Sequence, residues 1–447
     1  MTASSSPSAA AASVPPPPAA ETVEAGSITD VPAYCRQLAA AARRAGLAQA
    51  AVPGRVRDAA LRHIADHLVA DTQAIKAANR LDVEAGQTNG LAPAMLDRLT
   101  LDDARIAAMA DGVRQIAQQP DPVGRILEGR VLPNGIRLEK VRVPLGSVLF
   151  IYESRPNVTA DAAALCLKSG NALILRGGKE AIHSNTAIAA CIHRGLADAD
   201  LPIQTIQLVA TPDRAAVGEL LQLDQDIDLC IPRGGESLIR AVVKQSRIPV
   251  IKHYTGNCHV YLDAAADPEM AVDICVNAKT QRTGVCNAAE TILFHQDCVA
   301  SGLVKKVGQA LLAKNCELRA DTRSMSQLPE AKAADESDWS TEYLDLIVAL
   351  RVVDDLEHAV AHINRYGSKH TDAIVSTDVR AVDRFVQTVD TANVMVNCST
   401  RFSDGQQYGL GAEIGISTDK LHARGPMGAE DLTTYKWIAR GNGQTRH

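Results

Sequence analysis

Between Gly146 and Lys252 the chain alternates short apolar runs with amphipathic segments, and this alternation constrains the fold more than any other feature. Repeats of strand, helix and strand build a parallel sheet with right-handed crossovers, and near-continuous apolar strands fit a sheet covered on both faces. The pattern therefore predicts a doubly wound α/β unit. The predicted strands are 148–151, 172–175, 206–209, 227–231 and 250–251, and the predicted helices are 159–167 (capped by Thr159), 184–196, 215–221 and 238–243.

A second α/β unit follows the first. Asp267 with Pro268 is typical of a helix start, and this helix is expected to end near Lys279. Further strands are predicted at 291–294, 345–353 and 373–375. The length of 447 residues, about three times that of a ~150-residue domain, also favours more than one domain.

Two segments stand outside these units. Residues 1–27 form a Pro/Ala/Ser tract without a basic residue, so we expect disorder and no secretory signal. From about Val31 the apolar spacing predicts helices. At 130–143, two alternating segments flank Asn134-Gly135, which predicts a β-hairpin arm. The arm would serve subunit assembly or be a plain surface hairpin, and both interpretations stay open.

Composition excludes several classes of function. The balance of 46 basic against 52 acidic residues, a net charge of −6, argues against a polybasic face for nucleic acid or anionic lipid. Only 3% of the residues are aromatic, and no apolar run approaches the ~20 residues of a membrane span. The ten cysteines form no C-x-x-C pair, so neither a zinc cage nor a disulfide framework is indicated. We expect a protein of the reducing cytoplasm that binds no structural metal, nucleic acid or membrane.

Two glycine-containing loops follow predicted strands of the first unit. In Arg176-Gly177-Gly178-Lys179 the glycines allow close backbone approach and the cations suit a phosphate. The loop 232–235 contains Arg233, Gly234 and Gly235 and is similar. Each loop alone is equally well explained as a tight turn with solvated charges, and G-x-G-x-x-G is absent. Two such loops after strands of one sheet favour a dinucleotide.

Cys286 differs from the other cysteines, most of which fit small buried apolar positions. It lies in a Gly-containing loop between a predicted helix and a predicted strand, near Lys279, Arg282 and Asn287. Positively charged neighbours favour a thiolate, and a thiolate in a junction loop is a candidate nucleophile.

Several long motifs resemble one protein family. The chain is similar to the glutamate-5-semialdehyde dehydrogenases, also called gamma-glutamyl phosphate reductases, a branch of the aldehyde dehydrogenase superfamily. This resemblance covers about residues 30–440 and implies an α/β fold with a Rossmann-type cofactor-binding domain, an α/β catalytic domain and a small oligomerisation element. The motifs lie at 152–159, 168–178, 250–253, 277–282, 285–291, 409–418 and 421–427.

The resemblance implies a reaction, the second step of proline biosynthesis. NADPH would reduce L-glutamyl 5-phosphate to L-glutamate 5-semialdehyde and phosphate. Cys286 matches the superfamily nucleophile and would carry a thioacyl and then a thiohemiacetal intermediate. Asn157 matches the asparagine that stabilises the oxyanion, a contribution of about 10²–10³ in rate. The segment 253–257 lacks the carboxylate that serves hydrolytic relatives as general base, which favours phosphate over water as the acyl partner.

Binding roles are also implied. Lys168 and Arg176 are expected near the adenosine 2′-phosphate, so NADP is preferred over NAD, with Gly177, Gly178, Gly234 and Gly235 at the cofactor and Glu342 at the nicotinamide ribose. Arg401, Arg155 and His253 are assigned to the substrate, Arg401 to its carboxylate because bidentate geometry suits arginine. A surface ion pair for Arg401 and structural packing for His253 remain alternatives. Thr283 and Cys398 depart from the family pattern, which has proline and alanine there.

The expected division is a head at 1–27, an NADP-binding domain at 28–252 with the arm at 130–143, a catalytic domain at 253–405, and a C-terminal segment at 406–447. We expect a homo-oligomer, with glutamate 5-kinase as a further partner. Two other functions remain: a hydrolytic NAD(P)-linked semialdehyde dehydrogenase and a non-catalytic NADP-binding scaffold.

Overall fold

The structure, a computed structural model, describes residues 28–446. The head at 1–27, for which disorder is predicted, lies outside the described residues. Two separate parallel sheets organise the described chain, one within residues 147–233 and the other within 258–396. None of the helices in residues 28–446 combines the length and the apolar character required to span a membrane.

The first part of the described chain is helical, as the apolar spacing predicts. Asp30 and Asp102 each accept a hydrogen bond from a backbone N–H of the first turn and so cap the first and fifth helices. Ile64 and Val113 are buried in the apolar core beneath the first sheet. The helices are α1 (Val31–Gln49), α2 (Gly54–Ala70), α3 (Thr72–Thr88), α4 (Pro93–Leu99) and α5 (Asp103–Gln118).

The hairpin around Asn134-Gly135 is confirmed. Strands β1 (Ile126–Val131) and β2 (Arg137–Pro144) pair antiparallel, and every residue of β1 is exposed. A strand from the C-terminal segment adds to β2, as described below, so the arm is a three-stranded sheet separate from both parallel sheets.

The first sheet confirms the predicted doubly wound unit. Its strands run parallel in the order β5-β4-β3-β6, and their central residues are buried on both faces. The elements are β3 (Ser147–Tyr152), α6 (Asn157–Lys168), β4 (Ala172–Arg176), α7 (Ile182–Ala197), β5 (Ile206–Leu208), α8 (Ala215–Leu220), β6 (Leu229–Arg233) and α9 (Glu236–Gln245).

Two local predictions for this unit are wrong. Helix α6 begins at Asn157, and the Thr159 hydroxyl, instead of capping it, contacts the Tyr152 hydroxyl at 2.6 Å. The predicted strand at 250–251 forms only a single bridge between Val250 and Cys230. Pro249 has no N–H with which to extend that ladder.

The second sheet is also parallel, in the order β10-β9-β11-β8-β7-β12-β13. Asp267 accepts hydrogen bonds from the N–H groups of Glu269 and Met270, which confirms the predicted start of the next helix. The elements are β7 (Cys258–Leu262), α10 (Pro268–Thr280), β8 (Ala289–His295), α11 (Asp297–Ala300), α12 (Leu303–Leu312), β9 (Glu317–Ala320), α13 (Thr322–Met325), β10 (Lys332–Ala333), β11 (Ile347–Val353), α14 (Leu356–Tyr366), β12 (Thr371–Val375), α15 (Val379–Thr388) and β13 (Asn393–Val396).

The C-terminal segment returns to the first half of the chain. Strands β14 (Ile416–Ser417) and β15 (Gly425–Pro426) form a short antiparallel pair, and β16 (Thr433–Arg440) pairs antiparallel with β2 of the arm. The side chain of Asn171, just before β4, donates to the carbonyl of Leu432 at 2.8 Å. The end of the chain is thereby attached to both the arm and the first sheet.

Candidate active site

A cavity of about 770 Å³ lies between the two parallel sheets. The segments that follow β3 and β6 form one side of it, and the segments that precede β7, β8 and β11 form the other. The carboxyl edge of the first sheet therefore faces the amino edge of the second. Of the predicted site residues, the cavity is lined by Arg155, Gly234, Gly235, His253, Cys286, Glu342 and Arg401.

Cys286 is half-buried and lies in the loop between α10 and β8. Neighbouring residues contact the backbone of this loop at Cys286 and at Asn287. The Cys258 thiol donates to the Cys286 carbonyl at 3.2 Å, and the Asn287 amide donates to the Ser403 carbonyl at 2.8 Å. Gly256 approaches the Cys286 backbone so closely that a Cβ there would overlap it. The thiol thus lies on a loop whose position is determined by tertiary contacts.

Charged groups of both signs line the cavity around this thiol, and the carboxylates are those of Glu153, Glu236, Glu342, Asp404 and Glu413. Among the described residues, five arginines line the cavity: Arg98, Arg155, Arg233, Arg282 and Arg401. Burial lowers the pKa of Arg155 to about 10, and the charges of Arg233 and Arg98 also lower it. Burial and the neighbouring Arg282 lower the pKa of Arg401 below its usual range. Guanidinium groups gathered in this way repel one another, and an anion bound among them relieves that repulsion.

Arg401 also makes a specific contact, since its Nε donates to the Gln281 side-chain oxygen at 2.8 Å. This hydrogen bond orients the guanidinium beside the loop of Cys286. The predicted alternative, a surface ion pair, does not occur in the salt bridges of the described residues.

Glu342 lines the cavity and contacts Gly256, the residue that packs against Cys286. Its carboxylate accepts a hydrogen bond from the Gly256 N–H at 2.8 Å. Burial raises the pKa of Glu342 above its usual range, and the Gly256 hydrogen bond partly offsets this effect. Glu342 therefore lines the cavity and also supports the glycine that packs against Cys286.

Two imidazoles lie beside the thiol. The rings of His253 and His370 are 5.4 Å apart between centroids, and His253 Nδ1 contacts the Ile416 carbonyl at 2.9 Å. His370 is fully buried, and burial lowers its pKa to about 4. His370 is not among the predicted site residues, and its only signal in the sequence is a position three residues before the predicted strand at 373–375.

Asn157 lies in the first turn of α6, next to Val158, which lines the cavity. Its amide donates to the Asp161 carboxylate at 3.0 Å. Burial raises the pKa of Asp161 to about 6. The structure thus places Asn157 beside the cavity with its amide bonded along the helix, and the oxyanion role stays a prediction.

A second cavity of about 470 Å³ adjoins the first, and both are lined by Tyr152 and Glu153. Arg176, Gly178 and Lys179 of the first predicted phosphate loop line it, together with residues of α8 and α9. Arg176 is partly buried and donates to the Pro212 carbonyl at 3.0 Å. The two cavities therefore share Tyr152 and Glu153, with Arg176 at the end of β4 in the lining of the second and Cys286 in the lining of the first.

Lys168 lines neither cavity, and its assignment to the cofactor was wrong. Its ammonium is fully buried, 2.6 Å from the Asp58 carboxylate and 3.2 Å from the Ala117 carbonyl. Lys168 ends α6 and precedes β4, so it lies at the amino edge of the first sheet, whereas Arg176 lies at the carboxyl edge. Its neighbours are α2 and α5 rather than a ligand site.

Comparisons with known proteins show which family the chain resembles. The chain matches the aldehyde dehydrogenase family over residues 17–328. It is 54% identical over 411 residues to a gamma-glutamyl phosphate reductase from Geotalea daltonii, covering 92% of this chain and 98% of that protein. A gamma-glutamyl phosphate reductase from Rhodopirellula baltica is 52% identical over 417 residues, with 93% and 96% covered.

Solved structures agree with the sequence comparison. The crystal structure of gamma-glutamyl phosphate reductase from Thermotoga maritima superposes with a TM-score of 0.90 at 39% identity, covering 92% of this chain and all of that one. An acetylating aldehyde dehydrogenase from Geobacillus thermoglucosidasius has a TM-score of 0.67 at 18% identity, covering 93% and 98%. The second likeness concerns the fold alone.

Proposed function

Since the chain belongs to the aldehyde dehydrogenase family and, within it, to the gamma-glutamyl phosphate reductases, we propose that it reduces L-glutamyl 5-phosphate to L-glutamate 5-semialdehyde and phosphate. This reaction is the second step of proline biosynthesis from glutamate. NADPH is the proposed reductant.

One observation carries the proposal. The Cys286 thiol lines a cavity that contains both arginines and carboxylates of the described chain, and the substrate carries both signs of charge: a carboxylate beside an ammonium group at one end and a phosphate at the other. Guanidinium groups bind both anions in bidentate geometry. A nucleophile between such groups suits a molecule whose reacting carbonyl lies between two anionic ends.

The second cavity fits a dinucleotide phosphate. Arg176 supplies positive charge at the end of β4, and Gly178 lines the cavity beside it. Gly177, between them, must be glycine because a Cβ there would overlap the side chain of Asn185. Arg214 and Lys179 add positive charge to the same lining, which favours NADP over NAD. When bound, the cofactor supplies a hydride to the acyl carbon. The first cavity, where that carbon would lie, is lined by Gly234, Gly235 and Glu342.

Cys286 provides the covalent step. Its thiolate attacks the acyl carbon of the substrate, a C–S bond forms, and the C–O bond to phosphate breaks with the electron pair leaving on phosphate. After reduction the C–S bond breaks, which releases the aldehyde and restores the thiolate. Asn157 and the backbone N–H of Cys286 are proposed to stabilise the oxyanion of each tetrahedral species.

The segment 253–257 supports acyl transfer to phosphate rather than to water. It contains His253, Tyr254, Thr255, Gly256 and Asn257, and hence no carboxylate to act as general base. A thioester on Cys286 would therefore persist until phosphate or hydride reaches it. Arg401 is proposed to hold the substrate carboxylate, with Arg155 and His253 at the acyl phosphate.

The decisive experiment follows the reverse reaction, the reduction of NADP⁺ by glutamate semialdehyde, with and without phosphate. The proposal predicts turnover that requires phosphate and is lost in Cys286→Ala. Turnover undiminished without phosphate would support the hydrolytic dehydrogenase instead. A protein that binds NADP⁺ but has no turnover in either direction would be the scaffold.

We further propose a homo-oligomer assembled through the arm at 130–143 and the C-terminal segment 406–447. Ile126, Val131 and Trp437 are exposed on this three-stranded sheet, where a second subunit would cover them. Glutamate 5-kinase is a proposed partner, because its acyl phosphate product is labile in water. A reducing cytoplasm suits the ten cysteines, all of which are free thiols.

The proposed domains are the cofactor domain at 28–252 and the catalytic domain at 253–405. The separation of the two parallel sheets at residues 234–257 supports this division.

A further inference from the structure

Two side chains that line the cavity and one that is buried beside them form a cluster with the ligand chemistry of a zinc site. They are His253, Cys286 and His370, here called the Cys-His-His cluster, and their ligand atoms all lie within 4.8 Å of one another. They come from the segments that precede β7, β8 and β12, so the fold and not a sequence motif brings them together. Thiolate sulfur and imidazole nitrogen are the ligands that Zn²⁺ prefers.

Hydrogen bonds leave a free lone pair on His253. Its Nδ1 lies 2.9 Å from the Ile416 carbonyl, which can only accept, so Nδ1 carries the proton. Nε2 of a neutral ring is then unprotonated. A histidine that donates its other N–H to a backbone carbonyl is the usual arrangement behind a metal ligand.

The hydrogen bonds of His370 also place its proton on Nδ1 and leave Nε2 unprotonated. Its Nδ1 lies 2.9 Å from the Thr371 hydroxyl, and that hydroxyl donates to Ser403 at 2.8 Å. The Thr371 oxygen is thus the acceptor and His370 Nδ1 the donor. His370 Nε2 is buried and has no hydrogen-bond partner in the protein. A buried polar atom without a partner is costly and requires an explanation.

We propose that the Cys-His-His cluster binds Zn²⁺ through the Cys286 thiolate and the two imidazole Nε2 atoms, with water as fourth ligand, and that this reversibly blocks the nucleophile. On binding, the thiol loses its proton to solvent and a Zn–S bond forms. Zn–S and Zn–N bonds of about 2.3 and 2.0–2.1 Å require the ligand atoms to move closer. His253 lies in an irregular segment before β7, which permits that movement.

The ligand chemistry of the Cys-His-His cluster makes this site selective. Mg²⁺ and Ca²⁺ require oxygen ligands, whereas the cluster offers sulfur and nitrogen. We therefore expect that neither competes with Zn²⁺.

The test measures metal binding in the full-length protein without substrate or cofactor. Co²⁺ serves as the spectroscopic probe, because a bound thiolate gives a charge-transfer band in the near ultraviolet. We expect that band in the unmodified protein and its loss in Cys286→Ser. Zn²⁺ should displace Co²⁺ and protect Cys286 from alkylation by iodoacetamide, whereas Mg²⁺ should do neither.

Histidine variants test the other ligands. His370→Asn and His253→Asn should each weaken Zn²⁺ binding by at least about 100-fold, since even supporting residues contribute 10–100-fold. Cys398→Ala is the matched control, because Cys398 is also a half-buried thiol but lies outside the cluster. That variant should keep the Co²⁺ band and the Zn²⁺ affinity.

A band that survives in Cys286→Ser, or Zn²⁺ affinity unchanged in both histidine variants, would overturn the site. Thermal unfolding of each variant shows whether it is folded, and two independent histidine variants keep the test valid if one does not fold. The inhibition of turnover by Zn²⁺ depends on the proposed function, whereas the binding of Zn²⁺ at Cys286 does not. A protein that binds Zn²⁺ at Cys286 but shows no turnover would contradict the function and keep the site.

Discussion

Gly256 lies so close to Cys286 that any side chain at position 256 would overlap the Cys286 carbonyl group. The same glycine donates its N–H to Glu342 at 2.8 Å. The backbone at 256 is therefore held between the Cys286 loop, which precedes β8, and the Glu342 carboxylate, which precedes the neighbouring strand β11. Glycine at this position is required by the space available.

Gly256→Ala should lower kcat by at least about tenfold, because a displacement of about 1 Å in a catalytic group costs up to about 10². Overpacking should also destabilise the protein by about 1–3 kcal/mol. Steady-state kinetics and urea unfolding measure the two effects. Gly112→Ala, in helix α5 with no atom closer than 4.0 Å to the new Cβ, is the control and should leave kcat unchanged. Equal kinetics in both variants would contradict the packing argument.

Arg401→Gln should raise KM for the acyl phosphate, or for glutamate semialdehyde in the reverse direction, by about 10–100-fold, since hydrogen bonds to charged groups contribute about 1.5–3 kcal/mol. KM for the cofactor should stay the same. Arg384→Gln removes a guanidinium from an exposed ion pair with Glu357 and should change neither constant. An unchanged substrate KM in Arg401→Gln would transfer the carboxylate role to another arginine of the cavity.

Arg176→Gln should raise KM for NADPH by about tenfold and leave KM for NADH nearly unaltered, because a charge-assisted contact to a phosphate is lost only with the phosphorylated cofactor. The ratio of kcat/KM for the two cofactors is the measurement. A uniform loss with both would mean that Arg176 acts through its hydrogen bond to the Pro212 carbonyl, by shaping the loop.

Lys168→Met should destabilise the protein by about 3 kcal/mol, because Asp58 would keep a largely buried charge without its partner. KM for NADPH should not change, since Lys168 lines neither of the two cavities. Denaturant unfolding and cofactor kinetics separate the two effects. The double variant Asp58→Leu/Lys168→Met should regain much of the lost stability. A changed KM with intact stability would restore the cofactor role.

His362 should make the protein less stable in mild acid. Burial, aided by nearby positive groups, lowers its pKa to about 2, while Arg351 donates to its Nδ1 at 3.0 Å. The unfolded chain therefore takes up a proton near pH 6.5 that the folded chain does not. The free energy of unfolding should fall below that pH by about 1.4 kcal/mol per pH unit from this group and be independent of it above pH 7.

Urea unfolding between pH 5 and 8 tests this expectation. His362→Gln, which cannot be protonated, should show a shallower dependence on pH. His422→Gln changes an exposed histidine and should retain the original slope. Parallel curves for all three proteins would show that His362 is not responsible.

Some site residues could be identified from sequence because their signal is local. The loop at 176–179 follows a strand of a doubly wound sheet, and ligands bind beyond the carboxyl ends of such strands. Cys286 lies in a loop with neighbouring positive charge, between a helix and a strand. Asn134-Gly135 specifies its turn through backbone conformation alone.

His370 and Gly256 could not be identified from the sequence because their signal is not local. The second sheet contributes to the cavity through its amino edge, where both residues precede strands, as do Cys286, His253 and Glu342. His253 and Glu342 were predicted only through the family resemblance. No rule about carboxyl ends selects such positions. Lys168 was misassigned for the converse reason, since charge and proximity in sequence to Arg176 do not reveal that the two lie at opposite edges of one sheet.

By itself, the sequence predicted the two α/β units, the hairpin and the family, and it made Cys286 the candidate nucleophile, because periodicity, turn residues and long motifs are properties of neighbouring residues. The tertiary structure alone decided which edges of the two sheets face each other. That arrangement brings His370 and Gly256 to Cys286, and packing within the first unit places Lys168 against Asp58. Both depend on contacts between residues far apart in sequence, 110 positions for Lys168 and Asp58 and 186 for Arg98 and Gly284, whose relative placement no local pattern encodes.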